Sequence, residues 1–116
     1  MKKLIFLAIL FCFMATLAFA QGLTLKGAVI DNLCAGSQSQ DKLGEFVMTH
    51  TKECALKPEC AASGYSIFAE GKLYKLNADS NAKVAAFLAN ADSRLDVVVT
   101  GDEVDGELNV VEIQNQ

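Results

Sequence analysis

Apolar and polar residues alternate over Leu23–Asp31, with Leu23, Leu25, Gly27 and Val29 in phase against Thr24 and Lys26. Period two over this length predicts a strand, and Gly27 inside it predicts a bulge or a sharp bend. Residues 32–40 are rich in Asn, Cys, Gly, Ser and Gln and are expected to form a loop. The period then changes. Leu43, Phe46, Val47, His50 and Cys54 fall on one face of a helix starting near Asp41, and Pro58 is expected to end it before a turn region over 55–64. Tyr65–Ala69 and Lys72–Leu76 flank Glu70-Gly71, the clearest hairpin in the chain. Asp79, Ser80 and Asn81 offer caps for a helix running to about Ala91, with Val84, Phe87, Leu88 and Ala91 as its apolar stripe. Leu95–Thr100 and Glu107–Gln114 read as two final strands around a turn over 101–106.

Five short strands with a helix between the third and fourth match the five-stranded Greek-key barrel of the OB-fold. A small sheet must bury one face, and closing on itself also removes its edges. The alternative is an open sheet with helices packed on one face. The expected class is thus all-β with one or two short helices.

The first twenty residues stand apart. Seventeen are apolar, Lys2 and Lys3 open the segment, and Ala18-Phe19-Ala20 closes it. A basic start, an apolar middle and an A-x-A end are the pattern of a secretory signal peptide cleaved after Ala20. The uncharged stretch is short for a membrane span, and Cys12 follows Phe11, a poor context for lipidation. The expectation is therefore one domain, residues 21–116, in the periplasm or secreted, with no membrane span once the leader is removed. Over these residues 14 acidic side chains stand against 8 basic ones. That balance argues against nucleic acid, which demands clustered Lys and Arg.

His50-Thr51-Lys52-Glu53-Cys54-Ala55-Leu56, then Pro58-Glu59-Cys60-Ala61-Ala62-Ser63-Gly64-Tyr65, then Gly71-Lys72-Leu73-Tyr74-Lys75 carry a resemblance. With Gly27-Ala28-Val29-Ile30-Asp31 and Cys34 before them and Val97-Val98-Val99-Thr100-Gly101 after, the chain resembles a group of small exported bacterial proteins. The resemblance implies an OB-like barrel and an exported location. It implies no activity and supplies no catalytic residue, but the Cys/His positions match.

Those positions are the candidate chemistry. Cys34, His50, Cys54 and Cys60 lie within 27 residues, separated by fifteen, three and five, and His50 is the single histidine. The first reading is a structural disulfide among Cys34, Cys54 and Cys60, since exported domains of this size gain from a crosslink; spacing does not choose the pairing. The second is a Cys3His metal site for Zn or Cu, with His50 and Cys54 paired at i and i+4, although zinc modules usually use C-x2-C pairs. The third is a redox or nucleophilic thiol beside His50. A histidine hydrogen-bonded within an apolar face explains His50 more simply than any one of these ligand roles.

Asp102, Glu103, Asp105 and Glu107 form an acidic hairpin tip whose spacing lacks the pattern of a calcium loop, so a solvated turn is expected. Tyr65, Phe68 and Tyr74 lie on the hairpin where OB barrels often stack ligands, though core packing accounts for at least half of them. No phosphate loop, Ser/His/Asp set or paired catalytic carboxylates stand out. The sequence points to a non-enzymatic binding domain of the cell envelope, its partner an unknown small ligand or envelope protein. The alternative is a metal-handling or thiol-redox protein built on the Cys/His cluster.

Overall fold

A computed structural model describes residues 22–116, so the expected leader lies outside the described residues. Five antiparallel strands form one sheet in the order β3-β2-β1-β4-β5. They are β1 (Leu23–Asp31), β2 (Tyr65–Ala69), β3 (Lys72–Lys75), β4 (Asp96–Val104) and β5 (Glu107–Asn115). Between them lie four short helices, α1 (Asn32–Gly36), α2 (Leu43–Thr49), α3 (Lys52–Ala55) and α4 (Pro58–Ala62), and one longer one, α5 (Ala78–Leu88). No helix among the described residues is long and apolar enough to cross a membrane.

The central strand works in two halves. Residues 23–28 of β1 pair with β4, from Leu23↔Gly101 to Ala28↔Asp96. Residues 28–31 pair with β2, from Ala28↔Phe68 to Asp31↔Tyr65. The handover falls at Gly27 and Ala28. Gly27 is not a bulge: a Cβ there would sit 2.2 Å from the Phe68 carbonyl oxygen, so the residue is small because another backbone crosses it. The register shift of the sheet lies instead in the β4–β5 pairing at Thr100 and Gly101, where Val111 of β5 is the extra residue.

The hairpins follow their turn chemistry. Glu70 and Gly71 (φ 53° and 74°) join β2 to β3, and Asp105 and Gly106 (φ 53° and 80°) join β4 to β5. Positive φ at both central residues matches the twist of the flanking strands. The second turn is therefore two residues long, and β4 runs four residues further than its pattern suggested. Asp102 and Glu103 lie in the strand. Asp102 accepts a hydrogen bond from Asn109, and Glu103 pairs with Lys72 at 3.1 Å on the surface.

The closed barrel is not formed. β3 is four residues long, and the chain turns at Asn77 into α5, so the outer strands meet at one parallel bridge, Leu76↔Leu108. Asn77 donates its N–H to the Leu108 carbonyl there, and its side chain caps α5 by accepting from the Ser80 N–H. Helix α5 packs Val84 and Leu88 into the main core and offers the Ser80 hydroxyl to the Val110 N–H at 2.7 Å. Ala91 lies beyond the helix and is exposed.

That core joins Leu25, Val29, Ile67, Val97, Val99 and Leu108 on one face of the sheet. A second cluster, Ile30, Ala35 and Leu43 with Phe46, Val47 and Phe68, covers the other face of the β1–β2 end. All four residues of Ala28–Asp31 are consequently buried.

The helical region departs from its expectation. The helix read across 41–54 is broken: His50 and Thr51 are extended (ψ 133° and 157°), ending α2 and beginning α3. Thr51 is used as a cap, its hydroxyl accepting from the Cys54 N–H, which is the better place for a β-branched hydroxyl residue. Pro58 starts α4, at a position where its missing N–H costs nothing, instead of ending a helix. Part of the expected loop over 32–40 is helix α1.

The Gly27→Ala variant is expected to lose about 3 kcal/mol or more, since backbone must move to admit the methyl. Gly36→Ala, at an open position with nothing within 4 Å, should be neutral or gain up to about 1 kcal/mol. Urea denaturation of both variants checks the contrast.

Candidate functional site

The site begins with a residue the hydrophobic pattern passes over. Asp31 is the last residue of β1 and by alternation shares the face of Leu25 and Val29, so its carboxylate enters the core and is fully buried. It also caps α1. Its Oδ2 accepts the Cys34 N–H at 2.9 Å, fixing Cys34 in the first turn of that helix.

Cys60 arrives from α4 and is 5% exposed. Polar bonds lash α4 to α1. Ser63 Oγ accepts from the Leu33 N–H and donates to the Cys60 carbonyl, while the Asn32 side chain donates to the Ser63 carbonyl and accepts from Ser66 Oγ. Gly64, at φ +81°, lets the chain turn from α4 into β2 beneath Asn32. This lashing holds Cys34 and Cys60 4.3 Å apart. One ligand atom each from Asp31, Cys34 and Cys60 lie within 4.8 Å of one another.

His50 comes from the break between α2 and α3. Its N–H bonds to the Phe46 carbonyl, and its ring lies 5.4 Å from the Phe46 ring. Lys52 anchors the following helix by donating to the carbonyls of Asn90 and Ser93, and Tyr65 anchors it by donating to the Ala55 carbonyl. The His50 side chain is 2% exposed, and its Nε2 stands 2.9 Å from Asp31 Oδ1. The contact is close but misaligned for a hydrogen bond. Among the described residues three buried side-chain polar atoms have no hydrogen-bond partner: Asp31 Oδ1, His50 Nδ1 and His50 Nε2. A native interior leaves few such atoms, and here all three belong to one pair of touching side chains, Asp31 and His50.

The four expected ligands are divided by the fold. Cys34, Cys60 and His50 gather around Asp31. Cys54 is half-buried on α3 outside this group, because the break at His50 and Thr51 removes the i, i+4 relation. Cys34, Cys54 and Cys60 are free thiols, and no disulfide joins them. Of the aromatic candidates, Tyr65 is 2% exposed in the core and Phe68 packs in the second cluster. Tyr74 is half-buried, with the Lys72 ammonium 4.5 Å from its ring centre. Asp31 was the residue missed. It stood in phase with Leu25 and Val29, an acid on the apolar face of a strand, three residues before a cysteine.

The electrostatics favour protonated thiols. Burial, then the adjacent Asp31 carboxylate, pushes the Cys34 thiol up to about 12, and the same causes in the same order raise Cys60. Burial and then the Asp31 charge also raise the Tyr65 hydroxyl. The site thus holds a negative group and two thiols that resist becoming negative beside it. An open cleft of about 530 Å³ adjoins it, lined by Val47, Met48, His50, Lys52 and Arg94 among others.

Fold and cluster together define a small antiparallel-sheet domain with a buried carboxylate, two thiols and an imidazole in one place. No family model matches the chain, and no curated protein or solved structure is significantly similar to it.

In reduced, metal-free protein, Cys34 should alkylate with iodoacetamide about tenfold faster per pH unit from pH 8 through pH 10.5, because its thiolate fraction is still growing there. An ordinary thiol levels off soon above about pH 9. Peptide mass spectrometry after timed labelling reads this directly, and a plateau for Cys34 by pH 9.5 contradicts the assigned environment.

Proposed function

We propose that this chain is an exported, non-enzymatic metal-binding domain that holds Zn(II) or Cu(I) on Asp31, Cys34 and Cys60, with His50 beside the carboxylate. The observation that carries the reading is the cluster of partnerless buried atoms, Asp31 Oδ1 and both nitrogens of His50, next to two thiols. A cation supplies what that cluster lacks. It gives the carboxylate a positive partner and makes thiolates favourable where they are now disfavoured. Thiolates and imidazole suit zinc or copper(I), and the carboxylate tilts the set towards zinc. Two sulfurs on one tetrahedral zinc stand about 3.8 Å apart, so the 4.3 Å between Cys34 and Cys60 needs little adjustment. With three ligands in the group, a fourth position is left for His50 after a small shift, or for an external donor.

The exported location rests on the leader pattern and on the resemblance to small exported bacterial proteins. The same resemblance and the strand order support an OB-type reading of the sheet, with Leu76↔Leu108 as the point where closure would begin.

Metal binding must expel the thiol protons. Both thiols are protonated near neutral pH in the metal-free protein, so affinity should rise with pH. Titration calorimetry in buffers of different ionisation enthalpy is expected to show one zinc bound and about two protons released per zinc at pH 7.5. Cys34→Ser and Cys60→Ser should each weaken binding at least about 100-fold, while Cys54→Ser should leave it unchanged. Equal zinc affinity in the reduced protein and in Cys34→Ser or Cys60→Ser overturns the proposal.

A further inference from the structure

Cys34 and Cys60 are brought together by the polar lashing of α1 to α4, made by protein groups alone. We propose that the pair is also a reversible dithiol–disulfide couple, so that oxidation of Cys34 and Cys60 to a disulfide shuts the metal site. This rests on the metal reading above and adds a control to it.

The geometry suits a couple of this kind. A disulfide needs its sulfurs about 2.05 Å apart. The observed 4.3 Å separation lies within reach of side-chain rotation. The backbones are held in place by Asn32 and Ser63, which bond across the two helices. The two thiols also differ in access, Cys34 being partly exposed and Cys60 5% exposed. That difference sets an order of events with a disulfide oxidant such as oxidised glutathione. The Cys34 thiolate attacks one sulfur of the oxidant, forming a mixed disulfide and releasing one glutathione thiol. The Cys60 thiolate then attacks Cys34 Sγ, forming the Cys34–Cys60 bond and releasing the second. Two electrons pass from the cysteine pair to the oxidant, and the two protons lost by the cysteines end on the two glutathione thiols. The ion and the disulfide use the same sulfur electrons, so each form excludes the other. A bound ion should therefore slow oxidation, and oxidation should empty the site. In an oxidising compartment such a domain carries metal only where reductant or prior loading protects the pair.

The test uses the full chain carrying Cys12→Ser and Cys54→Ser, which removes both other thiols. The reduced protein is incubated with oxidised glutathione at pH 8, with and without one equivalent of zinc, then denatured, alkylated and peptide-mapped. The expected result is a Cys34–Cys60 crosslink about 2 Da lighter than the two free peptides, reversible by dithiothreitol and formed at least about tenfold more slowly with zinc present. Zinc affinity of the oxidised form should fall at least about 100-fold from that of the reduced form. Failure of Cys34 and Cys60 to pair overturns the proposal while leaving the metal site standing, whereas undiminished zinc binding once they have paired overturns both, because the ion is then not held by these sulfurs. If the reduced chain binds no zinc, the metal reading itself fails, and the control falls with it.

Discussion

A carboxylate buried at the end of the central strand organises this molecule. Burying an unpaired charge is costly, and Asp31 meets that cost with few partners: one backbone N–H from Cys34 and a close but misaligned approach from His50. The same side chain ends β1, starts α1, sits opposite Tyr65 in the sheet register and suppresses ionisation of two thiols. Strand, helix and cluster are therefore tied to one residue. The polar lashing by Asn32 and Ser63 and the anchoring of α3 by Lys52 and Tyr65 keep the three contributing segments in register around it.

The sheet explains why these segments can meet. β1 gives its first half to β4 and its second half to β2, so the sheet turns about Gly27, where backbone crosses too closely for any side chain. The second half is covered on both faces, by the main core and by the cluster of Ile30, Ala35 and Leu43. That double cover requires helices at this end, and α1 to α4 supply them. At the other end of the order β3 is too short to ladder with β5, so the edges touch at Leu76 and Leu108 and the sheet stays open.

The chemistry follows from an imbalance of charge. Two thiols and a carboxylate share a dry space in which the protonated thiols are favoured only while no cation is near. On the proposed reading a soft or borderline cation reverses the preference and an oxidant removes the thiols, so that one constellation would pass between a free dithiol, a metal-bound and a disulfide state.

The hydrophobic pattern carried most of the sheet. Period-two runs and the Glu70-Gly71 turn located the strands, because alternation and positive-φ turn residues are local consequences of local sequence. The apolar stripe of α5 was legible for the same reason, although its cap proved to be Asn77. The broken helix was not, since Thr51 serves as a cap only because tertiary contacts of His50 and Lys52 stop α2 and restart the chain as α3. The clustering of cysteines around one histidine marked the segments that supply three of the four grouped side chains, yet spacing added Cys54 and left Asp31 out. Which thiols converge depends on how α1 and α4 are held together across the 21 residues between them, and a carboxylate becomes a partner only when the strand that carries it is buried on both faces. Periodicity is a property of neighbours along the chain, so the sequence determined the strands and the apolar stripe of α5. The closure of the sheet and the membership of the site are set by contacts between distant segments, and those only the tertiary structure decided.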